Sequence, residues 1–333
     1  GCKVLAVGGG PCGTDRGEGQ ERCGENHPES AHDARRCAYP HWSLLTFTEP
    51  SKTMDTRRFF SASRALIVAG KGGVGKSVVS RALATVATGA GMSVLHVEID
   101  GKSEGRDLPA GVDVLGLSAG TALSEYLQGR GLGVLTRQLD RLGIVDIVAS
   151  TAPGIDDLLV LGKIKQLVRE DPHDVIIIDG PAAGHAVDLL RSPRILKRTV
   201  LGGPIAQQAD DVLNMFASPE MFRALLVTKP AMTPVQELIE TAEGIRDSLG
   251  VSLAPVVVNG IHPPPRTVDS HEPTVRAAVG YVTARHTAEL TAMTLLSESI
   301  PTGQLHAGHH LASGAELVSL VAGDLSDAIG DLP

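Results

Sequence analysis

Past Cys37 the chain has no cysteine; its four thiols, Cys2, Cys12, Cys23 and Cys37, crowd into the opening stretch. A disulfide framework needs cysteines distributed through the folded unit, so a cross-linked scaffold is excluded. Cys12 and Cys23, taken with His27 and His32, follow no zinc-ligand spacing. Aromatic residues are scarce too, at 3% of 333 residues, and Tyr39, Trp42, Phe47, Phe59 and Phe60 all precede residue 63. No apolar run approaches the ~20 residues that cross a bilayer, so a soluble protein is expected and any transport role would need a separate membrane partner. Positive charge is also short: 30 Lys and Arg stand against 38 Asp and Glu, for a net charge of −8. The basic residues are scattered, which argues against a nucleic-acid partner.

What the chain does have begins near residue 64. Residues 1–63 show no sustained period of 2 or 3.6, and read as a poorly structured extension. Met54 is expected to be the native start. From Arg64 onward, short Val/Ile/Leu-rich runs alternate with helical segments. The runs predict strands at Ala65–Ala69, Ser93–Ile99, Val145–Ala149, Asp174–Asp179, Arg223–Thr228 and Leu253–Asn259. Helices are expected at Ser77–Gly89, Asp156–Arg169, Ala186–Lys197, Ile205–Phe216 and Pro234–Leu249. The Pro-rich stretch 260–270 reads as a surface loop. Strand–helix alternation implies an α/β fold: a doubly wound, mostly parallel sheet with helices on both faces. Ligands bind such sheets at the carboxyl ends of the strands.

Gly70-Lys71-Gly72-Gly73-Val74-Gly75-Lys76-Ser77 lies where a strand turns sharply into a helix. That is the setting of a phosphate-binding loop: glycines let backbone N–H groups point inward around phosphate oxygens, and the helix N-terminus adds partial positive charge. Lys76 is placed to reach the β- and γ-phosphates and Ser77 to ligate Mg²⁺. The expected cofactors are therefore a nucleoside triphosphate and Mg²⁺. Two carboxylates fall at strand ends near this loop. Asp100 follows Val94–Ile99 and can orient an attacking water or hold a metal-bound water. Asp179 closes the apolar run Val175-Ile176-Ile177-Ile178, the arrangement that delivers an acid to the metal's coordination sphere. Gly180-Pro181-Ala182-Ala183-Gly184-His185 follows, and its glycines allow the movement a γ-phosphate sensor needs. Asn259, at the end of another strand, can either pair with a base edge or simply form a turn before Gly260.

These residues carry a resemblance. Lys71 ahead of Gly72–Ser77 resembles the deviant Walker A loop with its additional lysine, shared by the arsenite-pump, tail-anchored-protein targeting, MinD and ParA ATPases and the nitrogenase iron protein. Asp179–His185 is similar to the second switch of the ArsA/Get3 branch. Thr151–Asp157, Leu226–Glu237 and Val256–Asn259 add to the likeness, particularly to ArsA-type ATPases of actinobacteria. It covers about residues 64–262. The resemblance implies a P-loop ATPase domain over 64–333, with helical segments inserted at about 101–143 and 183–222, located in the cytoplasm. It implies ATP, read by Asn259, rather than GTP. It also implies a homodimer, or a heterodimer with a paralogue, in which Lys71 crosses to the partner's phosphates. Asp100 corresponds to the first-switch aspartate that positions water, and Asp179 acts through the second switch; both meet the metal through water. A protein client or membrane partner is implied as well.

The chain also departs from that family. Val78 stands where a second Thr commonly meets the α-phosphate, and Gly101-Lys102 replace Pro-Ala after Asp100. Soft metalloid ions require thiolates, and there are none beyond Cys37, so arsenite transport has no ligands here. Two other functions compete: an ATP-binding interaction module with little hydrolysis, and a ParA/MinD-like positioning ATPase. Met215, Phe216, Met221 and Phe222 read either as a client-binding surface or as core. His96 reads as a satisfied core residue, and His306, His309 and His310 as lacking carboxylate company.

Overall fold

β1 (Ala65–Gly70) is buried along its whole length. It pairs in parallel with β4 (Val175–Ala182) on one side and β5 (Phe222–Thr228) on the other. The structure, a computed structural model, describes residues 55–99, 107–129, 154–200, 202–266, 268 and 270–332. Within these, the eight-stranded sheet runs β3-β2-β4-β1-β5-β7-β8. β2 is Val94–Ile99, β3 Val112–Leu117, β7 Val256–Ile261 and β8 Gln304–Gly308, while the two-residue β6, Ser252–Leu253, pairs with β5. Every pairing among the described residues is parallel, so the strands share one carboxyl edge.

Two apolar layers sandwich the sheet. One joins β1, β4 and β5 side chains to α1 (Thr56–Ser61), α2 (Lys76–Gly89) and α9 (Gly314–Gly330). The other packs α3 (Ala119–Gly129), α4 (Ile155–Glu170), α5 (Ala183–Thr199), α6 (Pro204–Phe216), α7 (Met232–Glu243) and α8 (Pro273–Ser299) on the opposite face. α7 continues as a π-helical turn, Gly244–Leu249. Each fully buried Val or Leu contributes about 1.5–3 kcal/mol, so apolar strands between two helical layers are what the sequence pattern encodes.

Several expectations change. The extension predicted to residue 63 is structured from Asp55: Asp55 caps α1, and Phe59 and Phe60 pack edge to face in the core. A six-residue helix is too short to show a period, which is why the pattern gave no sign of it. Met215, Phe216 and Phe222 are buried against the sheet, so they are core and not a client surface. β8, α8 and α9 had no sequence expectation; β3 is a strand inside the segment 101–143 expected to be helical, recruited to the sheet edge by pairing with β2, with a half-exposed pattern. The strand expected at Val145–Ala149 lies outside the described residues.

Candidate functional site

The Gly70–Ser77 loop sits at the carboxyl end of central β1 and opens directly into α2. A Cβ on Gly70 would come 2.3 Å from the Val227 carbonyl oxygen, so only glycine lets β1 and β5 converge there. Gly73 (φ 80°) and Gly75 (φ 95°) adopt the left-handed backbone that glycine tolerates without strain. Gly75 is the N-cap of α2 and no side chain caps the helix, leaving first-turn N–H groups for an anion. Lys76 Nζ donates to the Lys71 carbonyl at 3.3 Å, curling the loop over the helix start.

Beneath α2 runs a polar seam through an otherwise apolar interface. The Ser77 side chain faces the Asp179 carboxyl, Ser80 meets His96 Nε2 at 3.1 Å, and Arg81 Nη2 lies 3.4 Å from Glu98 Oε1. Burial pushes the Asp179 carboxyl above its usual range; the nearby Ser77 hydroxyl and Arg81 oppose this, Glu98 adds to it, and Lys76 opposes. Burial lowers the His96 pKa from 6.5 to about 4, with Glu98 pulling upward and Arg81 downward. His96 is thus a neutral core residue, as its sequence setting indicates.

The chemistry of this corner fits Mg²⁺. Asp179 Oδ1 is buried with no hydrogen-bond partner among the described residues. A hard cation with oxygen ligands, held by the Ser77 hydroxyl and the Asp179 carboxylate, would satisfy it.

On the other side of the loop Lys71 pairs with Glu237 of α7, both side chains about half exposed. The pair lies at the rim of a cavity of about 420 Å³ that also reaches Gly184, Arg191 and Thr241. So Lys71, expected to reach a partner subunit, is engaged within its own chain. Asn259 at the end of β7 donates from Nδ2 to the Val74 carbonyl at 2.8 Å. Its amide therefore touches the phosphate loop itself.

The structure thus brings Gly70 to Val78, Asp179 and Asn259 to one edge of the sheet. Asp100, with Gly101 and Lys102, lies outside the described residues. Sequence reasoning missed Glu98, Arg81 and Glu237. Glu98 had left a signal: it is the one charge inside an apolar strand, two residues before Asp100. Of the histidines expected to lack carboxylate company, His310 has it, 2.7 Å from Asp324, whereas His309 stacks on His262, which itself lies 2.7 Å from Glu289.

Comparison with known proteins bears on part of this site: Asp179 and Asn259 fall within the matched family model and the Gly70–Ser77 loop outside it. The family model of anion-transporting ATPases matches residues 131–263. ATPase BagA of Mycobacterium tuberculosis is 31% identical over 252 residues, covering 67% of this chain and 72% of that protein. ATPase GET3B of Arabidopsis thaliana is 24% identical over 255 residues, 64% of this chain and 62% of its own length. ATPase get3 of Schizosaccharomyces pombe is 27% identical over 196 residues, 53% and 60% respectively.

Proposed function

We propose a function from one premise: the chain belongs to the ArsA/Get3 family of ATPases, the anion-transporting ATPase family. In our reading it hydrolyses ATP in a Mg²⁺-dependent reaction, with nucleotide enclosed between two subunits. The observation that carries this is the Asp179 carboxyl facing Ser77 beneath an uncapped α2, its Oδ1 buried and without a hydrogen-bond partner among the described residues. It is the donor set a metal–triphosphate complex needs, at the place the loop presents its N–H groups.

The chain's own groups have separable tasks. The N–H groups of Gly72 to Ser77 cradle phosphate oxygens, and Lys76 neutralises charge as it builds on them. Ser77 and Asp179 would hold the metal, which when bound would supply charge neutralisation at the triphosphate. Asp100 orients the water, and Asn259 fixes the loop beside the base. Lys71 serves the partner's nucleotide. Its pairing with Glu237 in the single chain supports slow turnover until a second subunit, identical or paralogous, takes it over. Relaxation of the loop from Asp179 to His185 after hydrolysis would then reopen the dimer and release a client or membrane partner. No helix among the described residues is long and apolar enough to cross a membrane, so a membrane role would run through that partner.

Titration calorimetry with ATP, with and without Mg²⁺, tests the reading together with a phosphate-release assay. Mg²⁺-dependent binding and turnover, both lost in Lys76→Ala, are expected. Binding without turnover at any protein concentration would leave a nucleotide-dependent interaction module instead.

A further inference from the structure

Glu237 has two carboxylate oxygens and uses one. Oε1 receives Lys71, while Oε2 is shielded from solvent and has no hydrogen-bond partner among the described residues. An acceptor withdrawn from water without a donor is unfavourable, so this oxygen calls for a further N–H group. The cavity of about 420 Å³ beside the phosphate loop holds such a donor. Arg191 of α5 lines it together with Lys71, Glu237 and Glu240. Its side chain is exposed, with no ion pair or hydrogen bond among the described residues. A carboxylate oxygen lacking a donor and a guanidinium lacking an acceptor thus border one cavity.

The packing of α5 on α7 aims Arg191 the right way. Arg194, three residues on and so on the same face of α5, donates to the Ser248 carbonyl in the π-helical turn that continues α7. That contact turns this face of α5 towards α7. Arg191 lies one turn nearer the start of α5, and helical side chains lean towards the start of their helix. It therefore leans towards the end of the cavity formed by Gly184 and Lys71. Departure of Lys71 would strand Glu237 beside Glu240, a like charge one turn along α7. We propose that Arg191 is the alternative cation for Glu237, taking the carboxylate when Lys71 leaves for the partner's phosphates, and thus a positioning residue for the reaction. The loop from Asp179 to His185 leads into α5, so the exchange would tie that loop to the release of Lys71. The proposal rests on the two-subunit reading of Lys71 above.

The test is chemical unfolding of the full chain in two double-variant cycles. In the native background, Arg191→Gln and Glu237→Gln should change the unfolding constant independently. Lys71→Ala imitates departure of the lysine. There the same two substitutions should couple by about three-fold, the scale of a half-exposed ion pair, and Arg191→Lys should keep most of that coupling. Independence in both backgrounds, equal coupling in both, or coupling of Arg191 to Glu240 in place of Glu237 overturns the proposal. These cycles need neither nucleotide nor a second subunit, so their failure is separate from failure of the ATPase reading. Turnover then tests the link to the reaction. Arg191→Gln is expected to raise the protein concentration for half-maximal turnover about three-fold, with ATP binding unchanged, and to have no such effect in Glu237→Gln. An unchanged concentration, or the same rise in both backgrounds, overturns the positioning role. Native turnover that is independent of protein concentration overturns the two-subunit reading instead.

Discussion

Asn259 Nδ2 lies 2.8 Å from the Val74 carbonyl oxygen, tying the carboxyl end of β7 to the middle of the phosphate loop. The same amide occupies the space a side chain at Gly75 would need: an added Cβ would come 2.3 Å from it, on a backbone with φ 95°. Gly75→Ala must therefore both strain the loop and expel Asn259. We expect it to abolish nucleotide binding, and Asn259→Ala to weaken it about ten-fold, corresponding to roughly 1.4 kcal/mol for the lost hydrogen bond. Calorimetry reads both, and native affinity in Gly75→Ala would disprove the cradle.

Lys71 and Glu237 are each about half exposed, so their pairing adds little to stability. Glu237→Gln is expected to shift the melting temperature hardly at all, and to raise turnover at low protein concentration by freeing Lys71. Lys71→Ala should keep most of the ATP affinity and lose turnover. Full activity in that variant would show that Lys71 has no part in a two-subunit mechanism.

His96 and His173 make opposite demands on pH. The folded pKa of His96 is lowered to about 4, so the native state is favoured while the ring is neutral. That contribution is present above the unfolded value near 6.5 and is lost as pH falls towards 4. The full shift corresponds to about 3 kcal/mol. Chemical denaturation of native protein and His96→Gln across this window should show a shallower acid slope in the variant.

His173 bridges Asp171 at 2.6 Å and Asp113 of the edge strand β3 at 2.8 Å. Burial works to lower its pKa, but the two carboxylates outweigh it and the value is raised. Its contribution is therefore present below about 6.5 and is lost as pH climbs through the raised folded value. His173→Gln should flatten the stability profile on the alkaline side of 6.5, and an unchanged profile there would refute the clasp.

Phe60 is fully buried beside Phe59, in a stretch the sequence pattern would leave without structure. Phe60→Ala should cost about 3–5 kcal/mol in denaturant unfolding. A cost under 1 kcal/mol would mean that α1 is dispensable.

The legible parts of this protein are those whose cause is local. Glycines at 70, 73 and 75 are demanded by close approach and left-handed backbone, and the run Val175–Ile178 must be buried wherever it lies; both can be read from neighbours in the chain. α1 and β8 were not legible, because a short helix or strand owes its stability to distant residues that cover it. Met215 and Phe216 read more readily as core than as a client surface but did not exclude the latter, since an apolar side chain does not encode what buries it.

The sequence by itself determined the parallel sheet, the phosphate loop and the acid delivered at Asp179, because strand–helix alternation and glycine spacing act over a few residues. Only the tertiary structure decided that Glu98 stands beside Asp179, that Asn259 braces Val74 and that Glu237 holds Lys71. Those partners are separated by 81, 185 and 166 residues. Their proximity follows from the order in which strands pair across the sheet, which no local pattern records.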